Sequence, residues 1–322
     1  MSLRSIASAI AVSVTALATT GFAQAADLKW AHVYETGSGY HQVAEWAADE
    51  ISKRTDGRVN IKVFPASSLG KEVEINEGLG IGAVDIIYTG PSFVERYYGP
   101  IAISDYPFIM RGYDHWLKYR QSDLFSELSD GYHEATGNQV LGLVYYGQRH
   151  VTSNKPILSP EDMKDLKIRV PNSPVMLMFP NAVGANPTPM AFSEVYLALQ
   201  QGVVDAQENP LPTIKFKKFY EVQSNINLTG HILNSLLVIA SDSALSGLGD
   251  DEAVVREVLD AAALKVSEEI YQAEQDLISW FREQGVAVNE IDQQPFQDAV
   301  KPMLTGEEVP YTMDHFERLG AL

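Results

Sequence analysis

Two arginines in the sequence have the surroundings of an anion-binding site. Arg149 lies in "YYGQRHVTSN" and Arg169 in "DLKIRVPN", beside tyrosines, amides and prolines and outside any run of charges. A guanidinium can donate two parallel hydrogen bonds to a carboxylate, which a lysine ammonium cannot. Two interpretations follow: each arginine is an exposed strand residue with an acidic neighbour, or one or both point into a cleft and bind a carboxylate ligand.

The sequence patterns of common enzymes are weak or missing. The stretch "GLGIG" at 78–82 has Ala83 where a dinucleotide-binding loop needs its third glycine, and it follows a helical pattern instead of a strand. GxSxG and HExxH motifs are absent, and the seven histidines are scattered singly. An exported glycoside hydrolase that uses two carboxylates stays as the alternative, and the spacing of carboxylates in the cleft would distinguish it.

The charge and the cysteine content exclude several functions. The 322 residues carry a net charge of −18, which argues against a nucleic-acid partner because phosphates need clustered lysine and arginine. The sequence contains no cysteine, so disulfides, thiolate metal sites and thiol nucleophiles are impossible. We expect a monomer without a cofactor and without a metal site.

Residues 1–25 have the pattern of a secretory signal peptide. A positive charge at Arg4 precedes a short apolar run at 6–18, and "AQA" at 23–25 matches the small-x-small pattern of a signal peptidase site. We expect cleavage after Ala25 and a mature protein in the bacterial periplasm. The apolar run is too short to span a membrane.

The elements that must position the arginines begin with a strand–helix alternation. Strands are predicted at 28–33 and 59–63, with a helix at 40–55 between them and a second helix from Lys71 to the glycines at 78–82. The strand "AVDIIYTG" follows. This alternation is typical of the α/β class, in which helices cover a mostly parallel sheet.

The same alternation returns in the second half of the chain. A strand at 166–170 carries Arg169, a helix is predicted at 193–201, and "VVDAQENP" at 203–210 forms a further strand. The two halves therefore predict two similarly built lobes. Because α/β sheets bind ligands at the carboxyl ends of their strands, a cleft between the lobes is the expected site.

Three long segments are predicted to join the lobes. Strands at 139–153 and 235–241 run between the halves as a hinge, and apolar residues at helical spacing predict one helix at 251–284 that packs along both lobes. The predicted boundaries are 26–147 with about 235–273 for the first lobe, and 148–234 with about 274–322 for the second lobe.

Four segments, in order along the chain, resemble a known family. They are "GQRHVTSNKPI", "EDMKDLKIRVPNSP", "VGANPTPMAFSEVYLALQQGVVDAQENPL" and "KKFYEVQSNINLTGHI". They are similar to the substrate-binding proteins of tripartite ATP-independent periplasmic (TRAP) transporters, the DctP family. The resemblance implies a two-lobed periplasmic binding protein, not an enzyme, that delivers a small carboxylate ligand to the small and large membrane subunits of a transporter.

The resemblance also implies three central ligand-binding residues. The family's carboxylate-binding arginine matches Arg169 in "KIRVPN", a second arginine of the site matches Arg149, and the asparagine of the family's Q-E-N-P motif matches Asn209. The alternative for Asn209 is a residue that caps its strand before Pro210. A side-chain amide at the carboxyl end of a strand is nevertheless well placed to bind a carboxylate or a hydroxyl.

Two more residues match positions that commonly line the family's pocket. These are Asn172, just after the arginine strand, and Phe192, just before the next helix. The alternative for Asn172 is a turn residue after Pro171. For Phe192 it is a hydrophobic staple ahead of a helix capped by Ser193.

The first lobe departs from the sialic acid binders, the branch with which the chain shares most of these motifs. Gly90 and Phe93 stand where those proteins use a glutamate and an arginine, so we expect Glu74, Tyr88 or His32 to contact the rest of the ligand. The expected ligand is a sugar acid such as a uronate or an aldonate. Aromatic carboxylates, short-chain carboxylates and sialic acid are the alternatives.

Overall fold

The computed structural model describes residues 25–306 and 309–322. The predicted signal peptide therefore lies outside the described residues, apart from Ala25 at its end. Within the described part, no helix is both long and apolar enough to cross a membrane.

One sheet of nine strands organises the described residues. The strands are β1 (Ala26–Ala31), β2 (Val59–Phe64), β3 (Ile86–Thr89), β4 (Asn138–Ser153), β5 (Lys167–Val170), β6 (Asn186–Pro189), β7 (Ala206–Pro210), β8 (Asn225–Ser241) and β9 (Ala287–Asn289). The helices are α1 (Gly39–Arg54), α2 (Glu72–Gly80), α3 (Pro91–Val94), α4 (Tyr113–Arg120), α5 (Asp123–Thr136), α6 (Met178–Ala182), α7 (Val195–Gln200), α8 (Leu211–Phe216), α9 (Asp242–Ser246), α10 (Glu252–Glu283), α11 (Gln294–Val300) and α12 (Met313–Gly320).

The order of the strands divides the sheet into two lobes. It is β2-β1-β3-β8-β4-β7-β5-β6, with β9 beside β8. The first lobe is built on β2, β1 and β3, which are parallel, and the second lobe on β7, β5 and β6, which are also parallel. The predicted two-lobed α/β fold is confirmed by this arrangement.

Two long antiparallel strands, β4 and β8, run through both lobes. The carboxyl end of β8 pairs with β3 of the first lobe, and the carboxyl end of β4 pairs with β7 of the second lobe. Strand β4 agrees closely with the prediction at 139–153. Strand β8 begins at Asn225, ten residues before the predicted strand at 235–241, so the hinge is a longer ribbon than the sequence indicated.

A glycine allows β4 to change register between the lobes. The pairing of β4 with β8 shifts between Tyr145 and Gly147. Gly147 has a φ of +117°, and a Cβ atom there would lie 2.5 Å from Oε1 of Glu274 and 2.8 Å from Cβ of Pro210. Both the backbone conformation and the close packing therefore require glycine at this point of the hinge.

Helix α10 packs along both lobes, as predicted for 251–284. Its 32 residues contact α1 in the first lobe, β4 in the hinge and α8 in the second lobe. The buried face includes Val255, Leu259 and Val266 near the first lobe and Leu277 and Phe281 near the second. This continuous apolar face places one rigid helix across the hinge.

The carboxyl terminus differs from the predicted lobe assignment. Helix α12 lies on the first lobe, where Arg318 pairs with Glu127 at 2.7 Å and the carbonyl of Leu319 is 2.8 Å from Nε2 of His115. The prediction placed the whole segment after about residue 274 on the second lobe. In the structure α4 and α5 cover the buried face of α12, a contact that no local sequence pattern indicates. The remaining lobe boundaries stay a prediction.

Candidate ligand-binding site

A cavity of about 400 Å³ lies between the two lobes. The first lobe contributes Tyr34 after β1, Glu72 at the start of α2 and the segment from Gly90 to Phe93. The second lobe contributes Arg169, Phe192 and Asn209. The carboxyl ends of β1, β3, β5 and β7 meet here, as expected for a ligand site in an α/β sheet.

Arg169 brings a buried positive charge to this cavity. The residue is 2 % exposed, and its Nε and Nη2 donate hydrogen bonds of 3.0 and 2.6 Å to the carbonyl of Met190. Among the described residues no carboxylate lies within salt-bridge distance of this guanidinium, and Nη1 has no hydrogen-bond partner. The interpretation as an exposed strand arginine with an acidic neighbour is therefore wrong for Arg169.

Burial lowers the pKa of Arg169 to about 10, with Arg149 adding to the effect and Glu208 opposing it. The guanidinium remains protonated at neutral pH. A buried charge without a partner of opposite sign is costly, so the site favours an anion next to Arg169.

Arg149 has a different environment, because its charge is already paired. Its guanidinium binds both carboxylate oxygens of Glu208, with Nη2 to Oε1 at 2.7 Å, and its Nη1 donates to Oδ1 of Asn234 at 2.8 Å. The exposed fractions of Arg149 and Glu208 are 3 % and 2 %. The acidic neighbour considered for Arg149 thus exists, but the pair is buried instead of facing solvent, and Arg149 lines the cavity.

Glu208 is also close to a histidine. Nε2 of His231 lies 3.2 Å from its carboxylate, and the His231 ring stacks on Phe179 at 4.0 Å. Burial by itself would raise the pKa of Glu208, but Arg149 and His231 together lower it to about 2. The carboxylate therefore stays ionised and fixes the Arg149 guanidinium beneath the cavity.

Asn209 lies at the carboxyl end of β7, where the sequence placed it. Its Nδ2 donates to Oε1 of Gln207 at 2.6 Å, and its Oδ1 accepts from the hydroxyl of Tyr146 at 3.3 Å and from Arg149 at 3.4 Å. These bonds hold the amide beside Arg149 in the cavity wall. Thr213 donates in turn to the Tyr146 hydroxyl at 2.9 Å.

Asn172 and Phe192 also line the cavity. Phe192 packs edge-on against Tyr34 of the first lobe at 6.3 Å, and Nζ of Lys217 lies 5.0 Å from its ring centre. It belongs to a short 3₁₀ helix, Phe192–Glu194, whose N-cap is Ala191. Because Ser193 does not cap this helix, the hydrophobic-staple interpretation of Phe192 is wrong.

Tyr88 and His32 do not reach the cavity, which corrects the prediction for both. Tyr88 is fully buried against Trp30 at 4.9 Å. His32 accepts a hydrogen bond at Nδ1 from the backbone of Tyr34, and burial lowers its pKa to about 3. For Tyr88 the reason is that all four residues of β3 are buried, so strand alternation does not predict which of its side chains would face the cavity.

Glu74 lies at the edge of the cavity, but its side chain is exposed. Its Oε2 accepts a hydrogen bond of 2.8 Å from the backbone nitrogen of Lys71. This bond closes the first turn of α2, so the structure gives Glu74 a helix-capping contact at the rim.

Glu72, two residues before Glu74 at the start of α2, lines the cavity and was not among the residues predicted from the sequence. Its Oε1 accepts hydrogen bonds from the backbone of Gly90 at 3.0 Å and from the Thr89 hydroxyl at 3.2 Å. Burial raises the pKa of Glu72 to about 7, against the effect of these bonds and of the two arginines. The sequence does place Glu72 in the first helical turn after "SLGK". In the structure this turn faces the end of β3.

Three polar contacts join the two lobes around the cavity. Nζ of Lys71 lies 2.5 Å from Oε1 of Glu194, Nζ of Lys217 lies 2.6 Å from Oε1 of Glu35, and the Ser173 hydroxyl donates to the carbonyl of Ser92 at 2.8 Å. Each contact joins one residue of the first lobe to one of the second. The described arrangement is therefore closed, with the arginines screened from bulk water.

Residues 30–308 match the family described as bacterial extracellular solute-binding protein, family 7, or DctP. The chain belongs to this family. The chain is 34% identical over 296 residues to the sialic acid-binding periplasmic protein SiaP of Vibrio cholerae, a match that covers 91% of this chain and 92% of that protein. It is 31% identical over 304 residues to the 2,3-diketo-L-gulonate-binding periplasmic protein YiaO of Escherichia coli, covering 93% and 92%.

A solved structure supports the same assignment. The fold is similar to that of a TRAP periplasmic solute-binding protein from Roseobacter denitrificans, with bound L-galactonate, at a TM-score of 0.86 and 31% identity. The match covers 92% of this chain and 99% of that one. The predicted TRAP solute-binding family is confirmed. The prediction that the chain is a transport protein and not an enzyme is also confirmed, since the relatives are solute-binding proteins.

Proposed function

We propose that the protein binds a sugar acid, a monocarboxylate with several hydroxyl groups, in the cavity between its lobes. The observation that carries the proposal is the buried guanidinium of Arg169, which remains charged and has no carboxylate partner among the described residues. A ligand carboxylate would supply the missing charge and accept a hydrogen bond from Nη1. In a cavity screened from water such a charge-assisted bond is stronger than on a surface.

Side chains around Arg169 fit the rest of such a ligand. Arg149 and Asn209 lie beside the proposed carboxylate position, and Asn172 and Phe192 line the cavity. On the first lobe, Glu72 has a second carboxylate oxygen, Oε2, without a partner among the described residues. A carboxylate accepts hydrogen bonds from hydroxyl groups, so Glu72 suits the hydroxyl-bearing end of a sugar acid.

The relatives support this class of ligand. SiaP is named for sialic acid, YiaO for 2,3-diketo-L-gulonate, and the Roseobacter denitrificans structure contains L-galactonate. All three compounds combine a carboxylate with several oxygen groups. The cavity, at about 400 Å³, lies toward the small end of the range for ligand pockets. This size favours an aldonate or a uronate over the larger sialic acid.

The proposed role is delivery to a TRAP transporter from the periplasm, after cleavage of the leader behind Ala25. Ligand contacts from both lobes would stabilise the closed arrangement, because a ligand shifts an equilibrium by its difference in affinity for the two states. The closed monomer would then present the ligand to the small and large membrane subunits of the transporter.

The test is a binding screen of the mature chain, residues 26–322, by thermal shift and calorimetry. The panel contains aldonates, uronates, sialic acid, short-chain dicarboxylates, aromatic acids and neutral sugar alcohols of matching length. We expect an aldonate or a uronate to raise the midpoint of unfolding by mass action, and the neutral alcohols to have no effect.

The matched variants are Arg169→Ala and Arg282→Ala, the second an exposed arginine far from the cavity. Arg169→Ala should abolish the shift, whereas Arg282→Ala should bind as the wild type does. Equal stabilisation of Arg169→Ala, or equal binding of the neutral alcohols, would refute the carboxylate site. Chemical turnover of any ligand by the purified protein would refute the transport role.

A further inference from the structure

Asp105 is a buried carboxylate that lies behind the cavity wall and does not line it. It ends a 3₁₀ helix, Gly99–Asp105, and its exposed fraction is 0%. Its Oδ2 accepts a hydrogen bond of 3.0 Å from the backbone nitrogen of Ser92, and its Oδ1 accepts one of 2.7 Å from Nδ2 of Asn234. Among the described residues no basic side chain lies within salt-bridge distance of this carboxylate.

Two of the hydrogen-bond partners of Asp105, Ser92 and Asn234, belong to the cavity wall. Ser92 lies in the first turn of α3, and Asn234 lies on β8 in the hinge; both line the cavity. The two shortest hydrogen bonds to Asp105 therefore come from the first lobe, through Ser92, and from the hinge, through Asn234. Asp105 lies 13 residues from Ser92 and 129 residues from Asn234 in the chain, so the contact depends on the packing of the fold.

The bond to Asn234 decides which way its side-chain amide points. With Nδ2 directed at Asp105, the amide oxygen Oδ1 faces Nη1 of Arg149 and accepts its hydrogen bond at 2.8 Å. If the amide rotated by half a turn, its NH₂ group would meet the guanidinium, which can only donate. A carboxylate at position 105 prevents that rotation, because it can only accept.

We propose that Asp105 is a positioning residue for the ligand site, which orients the Asn234 amide and through it the Arg149 guanidinium. The inference rests on the proposed function, since the role of Arg149 is to stand beside a ligand carboxylate. Asp105 itself touches no ligand. Its contribution passes through the chain of hydrogen bonds Asp105–Asn234–Arg149.

The environment of Asp105 supports this role. Every hydrogen bond that reaches its carboxylate comes from an N–H donor, including a longer one from the backbone of Ser235 at 3.5 Å. Burial raises the pKa of Asp105 to about 6, although these bonds and Arg149 oppose the effect. A buried carboxylate without an ion pair costs stability. Stabilisation of the fold alone is therefore a weak explanation for the presence of Asp105.

The test is a double-mutant cycle on the affinity for the sugar acid found in the screen. The variants are Asp105→Asn, Asn234→Ala and the combination of both. Asn has the shape of Asp but replaces one acceptor by a donor, so one of the bonds to Ser92 and Asn234 is lost. We expect Asp105→Asn to weaken binding about tenfold, the effect of one lost hydrogen bond near a charge.

The decisive readout is the coupling. In the Asn234→Ala background the Asp105→Asn change should have no further effect on affinity, because the residue through which Asp105 acts is gone. Glu95→Gln is the matched control, since Glu95 is a neighbouring, partly buried carboxyl group that contacts Tyr106 and not Asn234. It should bind as the wild type does. If Asp105→Asn does not fold, as judged by circular dichroism, Asp105→Ser takes its place in the same cycle.

Two outcomes would overturn the proposal. Wild-type affinity in Asp105→Asn excludes a positioning role. So does a loss of affinity on Asp105→Asn that is equally large in the wild-type and Asn234→Ala backgrounds, because Asp105 would then act through another residue. In either case ligand binding by the wild type and its loss in Arg169→Ala would leave the proposed function intact. A wild-type protein that binds no carboxylate would instead overturn the proposed function and the positioning role together.

Discussion

The Arg149 guanidinium and the Glu208 carboxylate form a two-bond ion pair inside the protein, with Nη2 and Oε1 at 2.7 Å. The pair leaves Arg149 neutralised, whereas Arg169 beside it is not. The two arginines that the sequence placed together therefore have different tasks. Arg169 is available to a ligand anion, and Arg149 is part of a network that shapes the site around it.

Glu208→Gln is expected to destabilise the ligand-free protein, because it leaves the buried guanidinium of Arg149 without a counter-charge. Removal of one partner from a buried pair costs roughly 3–5 kcal/mol in the free energy of unfolding. Urea denaturation of the mature protein measures this loss. Glu257→Gln is the control, since it breaks an exposed pair with Arg54 and should change stability little. Similar losses of stability in both variants would contradict the explanation that the Arg149–Glu208 pair matters more because it is buried.

Glu72→Gln is expected to change the selectivity for ligand charge. Burial raises the pKa of Glu72 to about 7, so above pH 7 its carboxylate repels a second carboxylate on the ligand. The wild type should then prefer an aldonate to the corresponding aldarate, and Glu72→Gln should reduce this preference about tenfold, or ~1.4 kcal/mol.

Calorimetric dissociation constants for both ligands at pH 8 measure this preference. Glu77→Gln provides the control on the same helix, because Glu77 is exposed and pairs with Arg96 outside the cavity. An unchanged ratio in Glu72→Gln would show that this carboxylate does not face the distal end of the ligand.

Gly147→Ala is expected to disturb the hinge. The substitution forces an L residue to a φ of +117° and brings its Cβ to within 2.5 Å of Glu274. Strain of this kind costs about 1–3 kcal/mol, and it should lower the thermal midpoint and the population of the closed state. Gly137→Ala is the control, because Gly137 also has a positive φ, +69°, but no atom within 4 Å of the added Cβ. Small-angle scattering with and without ligand would show whether closure is lost in Gly147→Ala and kept in Gly137→Ala.

Glu274 is expected to make stability depend on pH. Burial raises its pKa from the ordinary value of 4.5 to about 7, although Tyr145 and the backbone of Gln148 donate hydrogen bonds to it. Between these values the folded state holds a proton that the unfolded state releases. The free energy of unfolding should therefore fall as the pH rises from about 4.5 to 7, and level off above.

Glu274→Gln should reduce this fall by the contribution of Glu274, at most about 3 kcal/mol, while Glu72 and Asp105, whose pKa values are also raised by burial, keep their own contributions. Gln can keep both contacts, because its oxygen accepts from Gln148 and its NH₂ group donates to the Tyr145 hydroxyl. Denaturation curves from pH 4.5 to 8 measure the slope, with the exposed Glu283→Gln as control. A slope in Glu274→Gln as steep as in the wild type would show that Glu274 does not contribute to it.

Some parts of the site could be predicted because their signals are local. The strand around Arg169 follows from alternating apolar residues and a proline stop, and the length of α10 follows from one continuous helical pattern. The resemblance to the TRAP binders adds Asn209, Asn172 and Phe192, all of which line the cavity. Tyr88 was misplaced because the short strand β3 is covered on both faces, and His32 because its ring turns back to the backbone of Tyr34 just after β1; local alternation does not distinguish core from cavity in either case.

By itself the sequence determined the family, the α/β class and the strand that carries Arg169 to the cavity, since these depend on short motifs and on periodicity. Tertiary structure alone decided that Arg149 is paired with Glu208, which lies 59 residues away, and that Asp105 bonds to Asn234, which lies 129 residues away. Strand register and lobe packing set such contacts, and neither is encoded in any short stretch of residues. For the same reason Glu72 became visible as a cavity-lining carboxylate only once the two lobes were seen together.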